Sequence, residues 1–385
     1  MIDTKPDDYA KMLSTVEGSR SLMAGYGFET VDCPLLEPTE LFVRKSGGEI
    51  TSRLYSFFDA AGNRVSLRPE FTSSIIRQYI DSEDQRCDDK VLKRQYAGPV
   101  FRLGGDKDKS QVRQFTQQGA EMIGAGGIGP DSEMLKLSLE MISMAGLKNI
   151  RVKLGNTGIV RLFLSRYEIN EATALYVISN LKKLNSGAET PQSLLDSALN
   201  IGLVNENKTP TPLEDLSNEV LSVIQTLMPQ SISENTGRRT KEQIVSRLLR
   251  KISGGISSDE FISAISGVMK FTSTVDGEIS RDRDLGAEDE LGSAMEYFNS
   301  LVEGIGEVAG LNIDYYLELG NGRGLTYYTG LVFDFEAEIP DGWQPLGGGG
   351  RYDELVKALG AKCDRPAIGF ALNMDAVIKA KECCS

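Results

Sequence analysis

Between residues 7 and 26 the apolar side chains Tyr9, Met12, Leu13, Val16 and Met23 recur at helical spacing, and Gly25 and Gly27 close the run. Residues 28–33 read as a strand that Pro34 stops, because proline cannot donate to a ladder. Residues 54–58 and 64–68 flank the turn sequence Asp59-Ala60-Ala61-Gly62-Asn63, which predicts a hairpin. Pro69 can then start a helix, which places Glu70 and Thr72 at a strand-to-helix junction. The strongest pattern lies in residues 96–124: an apolar approach through Pro99, Val100 and Phe101 to Arg102, a polar loop over 104–110, and a second strand from Gln111. On that second strand Arg113, Phe115, Gln117, Gly119, Glu121 and Ile123 share one face. Gln117 and Glu121 should stand roughly 13 Å apart at about 3.3 Å per residue. Gly119 between them predicts an open floor the size of a small polar molecule.

Further along, Asp131 is expected to cap a helix carrying Met134, Leu137, Met141 and Ile142, and residues 150–154 alternate as a half-buried strand. Residues 158–310 read almost entirely as helices separated by polar Pro, Gly and Asn linkers. They predict a helical domain inserted between two halves of a core, 1–157 and 311–385. Strand signals return at 313–319 and 327–335, around a Gly320-Asn321-Gly322-Arg323-Gly324 loop whose backbone could approach a ligand closely. The glycines at 347–350 lack both the Lys-Ser/Thr ending of a P-loop and the spacing of a dinucleotide fingerprint. Tight strand-to-helix packing accounts for them equally well.

Composition sharpens this picture. A chain of 385 residues with 40% apolar content can bury a large core, and at this length two compact units are expected. No apolar run reaches membrane-spanning length and no basic-then-apolar leader precedes the first helix, so a cytoplasmic protein is expected. The five cysteines show neither a disulfide framework nor a zinc spacing, and free thiols are expected. A formal charge of −13 opposes binding to nucleic acid. The chain contains no histidine, which excludes histidine-based nucleophile activation and every imidazole-dependent metal site. Chemistry is left to carboxylates, Tyr, Arg and Lys.

With these elements in place, six ordered stretches resemble histidyl-tRNA synthetases: LLEPTELFVRKSGGE, RPEFT, the GPVFR to RQFTQQGAEMIG hairpin, RGLTYYTGLVFDF, GGRYDELVKALG and PAIGFAL. They are similar to class II synthetase motifs 1, 2 and 3 and the two histidine-specific segments, over residues 7–156 and 313–377. The resemblance implies an α+β fold, a class II aminoacyl-tRNA synthetase-like antiparallel sheet flanked by helices, dimerising through the motif 1 region. It implies a histidine pocket in which Glu70, Thr72 and Gln117 hold the ammonium group and Arg323 the carboxylate. Glu121, Tyr327 and Tyr328 would hold the imidazole, and Arg102 belongs to the same pocket. Carboxylates suit an ammonium, arginine a carboxylate, and Glu with Tyr the two ring nitrogens.

The family's ATP-handling residues do not carry over. Arg102 is followed by Leu103 and Gly104 where the family has Arg-x-Glu, Gln111 stands where an arginine is expected, and Ala376 occupies the motif 3 arginine position. Losing one such electrostatic clamp costs about 10²-fold or more in rate. No anticodon-binding domain is expected after motif 3. This combination is similar to the regulatory subunit of ATP phosphoribosyltransferase, a non-catalytic family without metal or cofactor. The resemblance implies a homodimer within a larger hetero-oligomer containing the short-form catalytic subunit, which this chain would activate and make sensitive to L-histidine in the first step of histidine biosynthesis. A chain without histidine suits a protein needed during histidine starvation. The alternative is a histidine-activating, adenylate-forming enzyme.

Overall fold

The computed structural model describes residues 5–43, 51–82, 90–104, 114–167, 169–204, 256–279, 290–321 and 327–384, with no side chains over 290–295. Its strands in chain order are β1 (Glu29–Thr30), β2 (Leu36–Pro38), β3 (Ser56–Phe58), β4 (Arg64–Leu67), β5 (Leu92–Phe101) and β6 (Gln114–Ile123). Beyond them come β7 (Asn149–Asn156), β8 (Gly277–Glu278), β9 (Asn312–Leu317), β10 (Leu331–Ile339), β11 (Gly342–Arg351) and β12 (Ala367–Asn373). Nine form one sheet in the order β1-β5-β6-β12-β11-β10-β7-β9-β8, and β2-β4-β3 form a second. The large sheet is antiparallel through its centre, but β1 runs parallel to β5 and β9 parallel to β7, so it is mixed rather than antiparallel throughout. Those two parallel pairings join segments distant in sequence, which no local pattern reports.

The predicted hairpin is the β5–β6 pair, with Tyr96 opposite Gly119 and Arg94 opposite Glu121. Residues Gln117 to Ile123 of β6 are all buried, so both faces of this strand are covered. Neighbouring β12 supplies the buried Ala367, Ile368 and Phe370, and β10 supplies Val332, Phe333 and Phe335. The first helix, Pro6–Gly25, starts on proline with Asp7 and Asp8 in its first turn, where anions suit the helix dipole. It buries Met12, Val16, Ser19 and Met23 along one face.

Several local expectations shift. The strand expected over 28–33 is reduced to two residues, and Val31 continues only one further hydrogen bond, to Gln95. The helix expected to start at Asp131 spans Ile128–Met144, so Asp131 lies inside its first turn as an ion-pair partner and not as its cap. The glycine run forms the last part of β11, hydrogen-bonded between β10 and β12, and is neither a phosphate loop nor a strand-to-helix turn. Cys363 is disulfide-bonded, against the expectation of free thiols.

The chain divides into two compact units, Met1–Val160 with Thr274–Ser385, and Arg161–Ser273. The second is helical among its described residues. Its helix Glu171–Asn185 is capped by the Asn170 side chain, and Pro191–Asn200 by a reciprocal Thr190–Ser193 box. The first unit resumes well before residue 311. β8 pairs with β9, and helix Glu290–Ile305 lies on helix Ile128–Met144, where the Tyr297 hydroxyl donates to Asp131 Oδ2 at 2.6 Å. Among the described residues no helix is long and apolar enough to cross a membrane.

Candidate functional site

One face of the first unit's sheet carries a cleft enclosing about 420 Å³ of space, open mouth and solvent included. Its walls hold Glu70, Thr72, Arg102, Gln117, Glu121, Tyr327 and Tyr328, seven of the eight residues singled out from sequence. The eighth, Arg323, lies outside the described residues, as do Gln111 and Arg113. The floor is backbone from the glycine run and from β12: Gly348, Gly349, Gly369, Phe370 and Ala371.

Local structure explains why these side chains meet. Glu70 precedes helix Thr72–Asp81, and both of its carboxylate oxygens accept from the Ser73 backbone N–H, at 3.2 and 3.1 Å. A helix N-terminus favours an anion there. Burial nonetheless raises the Glu70 carboxyl above its ordinary value, opposed by hydrogen bonds from Ser73 and Thr72 and by the charge of Arg102. Arg102, just beyond β5, donates through Nε to the Pro69 carbonyl at 2.9 Å and lies over the Phe115 ring at 5.1 Å.

Glu121 accepts three hydroxyl hydrogen bonds. Its Oε1 accepts from the Thr72 hydroxyl at 2.6 Å and the Tyr96 hydroxyl at 3.2 Å, and its Oε2 accepts a short hydrogen bond from the Tyr352 hydroxyl. Burial pushes its carboxyl up to about 7, the three hydroxyls pull it down, and the negative charge of Glu70 adds to the rise. A Cβ at Gly369 would run into Glu121 Oε2, so glycine there leaves the carboxylate its place. Gln117 is buried, and its Oε1 has no hydrogen-bond partner among the described residues.

One expectation needs correction. The floor above Gly119 is not open, because the Tyr96 hydroxyl reaches to 2.7 Å of where a Cβ would stand, which is also blocked by the Phe370 carbonyl. The tyrosines bonded to Glu121 are Tyr96 and Tyr352. Tyr327 and Tyr328, expected beside Glu121 at the ligand's ring, line the same cleft as an aromatic wall, 4.9 Å apart, with Tyr327 edge-on to Tyr352 at 6.0 Å. A signal for Tyr96 existed in its cross-strand position against a mid-strand glycine, which commonly marks close approach of a large neighbour.

The stretches that depart from the synthetase pattern have their own local partners. Leu103 is bracketed by Arg53, its N–H donating to the Arg53 carbonyl at 2.8 Å and its carbonyl accepting from Arg53 Nε at 3.2 Å. At the start of helix Met374–Cys384, Asn373 Oδ1 accepts from the Ala376 N–H at 3.1 Å and Asp375 Oδ2 from the Thr116 N–H at 2.7 Å. Arg351, which precedes Tyr352 of the cleft wall, is held by the buried Asp131, by Asp353 and by the Ala125 carbonyl. Among the described residues, no group of three His, Cys, Asp or Glu side chains is placed to hold a metal ion. The cleft is therefore rich in buried acceptors, and Arg102 is the cation among its described lining residues. Such a site suits a small molecule carrying N–H donors or positive charge.

The histidyl-tRNA synthetase family profile matches residues 1–200 and 242–377. The histidine–tRNA ligase of Sulfolobus acidocaldarius is 28% identical over 376 residues, 97% of this chain and 72% of that protein. That of Pyrococcus abyssi is 28% identical over 384 residues, 99% of this chain and 74% of that protein. Among solved structures, an ATP phosphoribosyltransferase regulatory subunit/histidyl-tRNA synthetase from Bacillus halodurans C is similar at a TM-score of 0.64 and 22% identity, covering 99% of this chain and 81% of that one. Apo S. aureus histidyl-tRNA synthetase is similar at a TM-score of 0.57 and 21% identity, covering 100% and 72%. At such identities the structural likeness speaks to fold alone.

Proposed function

Because this chain belongs to the histidyl-tRNA synthetase family, we propose that its cleft binds free L-histidine and that it acts as a non-catalytic regulatory subunit of an ATP phosphoribosyltransferase. The observation that carries the ligand is the acceptor set: buried Glu70, buried Glu121 and the partnerless Oε1 of Gln117 line one small cleft. In this reading Glu70, Thr72 and Gln117 hold the ammonium group, Arg323 the carboxylate, and Glu121 with Tyr327 and Tyr328 the imidazole, with Arg102 balancing Glu70. The ATP-handling positions support a regulatory role, because Ala376, Leu103 and Gly104 provide no charge for a triphosphate. The partner is a short-form catalytic subunit, met by a homodimer of this chain within a larger hetero-oligomer.

Histidine would bias that assembly through a coupling free energy of about 1 to 3 kcal/mol. Reconstitution with a short-form catalytic subunit tests this. The chain is expected to raise the partner's rate and to make it histidine-sensitive, and Glu121→Ala to keep the activation while losing most of the inhibition. An inhibition curve unchanged by Glu121→Ala contradicts the cleft as the histidine site, and absence of any activation contradicts the regulatory role. A second reading, ATP-dependent activation of histidine, is favoured by the names of the sequence relatives and by the retained Arg102.

A further inference from the structure

The hydrogen bonds around Glu121 leave little freedom for what a ligand can offer it. We propose that Tyr96 and Tyr352 are positioning residues that keep Glu121 an ionised acceptor with one lone pair to spare, so that the cleft selects a molecule bearing an N–H donor at its ring end. This rests on the histidine reading above and adds the element that sets its specificity.

An ionised carboxylate has about four acceptor positions. Thr72 and Tyr96 occupy two on Oε1 and Tyr352 one on Oε2, which leaves one on Oε2 beside Gly369 for the ligand. All three neighbours are hydroxyl donors, and burial together with the charge of Glu121 raises both phenols far above their ordinary range, so they stay protonated. Against them stand burial of the carboxyl itself and the charge of Glu70, and among the described residues Arg102 and Tyr327 are the other charged or titratable groups around the two carboxylates. These opposed influences leave the carboxyl near neutrality, where loss of one donor decides its charge. A protonated Glu121 would present an O–H and prefer a ring acceptor, reversing the selection.

The two rings are fixed independently of their hydroxyls. Tyr96 is stacked on Phe71 at 4.4 Å, while its one hydroxyl proton is shared between Glu121 Oε1 at 3.2 Å and the Phe370 carbonyl at 3.3 Å. Tyr352 donates its backbone N–H to the Ala367 carbonyl at 2.8 Å and follows Arg351, which Asp131 and Asp353 anchor. Tyr→Phe at either position should therefore keep the ring in place and remove only what its hydroxyl donates, to Glu121 at Tyr352 and to Glu121 and the Phe370 carbonyl at Tyr96.

The test follows the Glu121 carboxyl by 13C NMR in the full chain labelled at glutamate, with the signal assigned by its loss in Glu121→Gln. Tyr96→Phe and Tyr352→Phe are each expected to raise its titration midpoint by about one pH unit, since a hydrogen bond to a charged group is worth about that much or more. At pH 7, L-histidine should then bind about fivefold more weakly to either variant, because fewer molecules are ionised. The wild-type preference for L-histidine over 2-thienylalanine, which lacks a ring N–H, should shrink in parallel. A midpoint that stays put or falls overturns the positioning role. Moved midpoints with an unchanged preference overturn the selection claim. A wild-type chain that titrates as described but binds no histidine overturns the functional reading and the selection claim together, while leaving the hydroxyl effect on Glu121 measured.

Discussion

Replacing Glu121 by glutamine should change the pH dependence of folding by an amount set by its raised carboxyl. Its carboxyl rises from an ordinary value of 4.5 to about 7, chiefly through burial. At about 1.36 kcal/mol per pH unit, that difference corresponds to roughly 3 kcal/mol between the two charge states. The sign follows from linkage. A carboxyl raised on folding contributes stability that is fully present below about pH 4.5 and is lost as pH rises through about 7. Glutamine cannot titrate, and its amide cannot accept from all three hydroxyls, so the variant carries a constant offset and lacks this pH-dependent part. The stability of Glu121→Gln minus that of the wild type should therefore rise by about 3 kcal/mol from pH 4.5 to pH 8. Glu70 titrates in both proteins and largely cancels. Trp343 is the only tryptophan and lies on β11 of the same unit, so urea unfolding followed by its fluorescence reports on the relevant region. A difference that is flat across this range would refute the assignment of a raised carboxyl at Glu121.

Arg351→Ala should destabilise the first unit by about 3–5 kcal/mol, because it strands the buried Asp131 carboxylate; urea unfolding read by Trp343 checks it, and a loss under about 1 kcal/mol would contradict the pair's role. Gly369→Ala should leave the sheet folded but displace Glu121, lowering L-histidine affinity at least tenfold in calorimetry; wild-type affinity would show that the floor tolerates a side chain.

The parts of the site legible in the sequence were those that depend on short-range geometry. Strand alternation put Gln117 and Glu121 on one face, and the Arg68-Pro69 step put Glu70 and Thr72 at a helix entrance, where the structure has them lining one cleft. The antiparallel hairpin followed from two apolar runs around a polar loop. What the pattern could not report were non-local pairings. β1 with β5 and β7 with β9 join segments tens to more than a hundred residues apart, so the parallel edges of the sheet were invisible. Helical periodicity likewise says nothing of which unit a helix joins, and helix Glu290–Ile305 belongs to the first unit through Asp131 and Ser132. Asp131 looked like a cap because acidic residues favour first turns for two reasons, and here the partner is Arg351, far away in sequence. Tyr96 and Tyr352 were missed as Glu121 partners because both phenols are buried beneath the cleft, among residues that composition assigns to the core.

The most direct measurement is histidine-dependent exchange of labelled pyrophosphate into ATP by the purified chain, at L-histidine concentrations that saturate its cleft by calorimetry. The account predicts saturable histidine binding with no exchange above background. Exchange that rises with histidine would contradict it and make the chain an adenylate-forming enzyme.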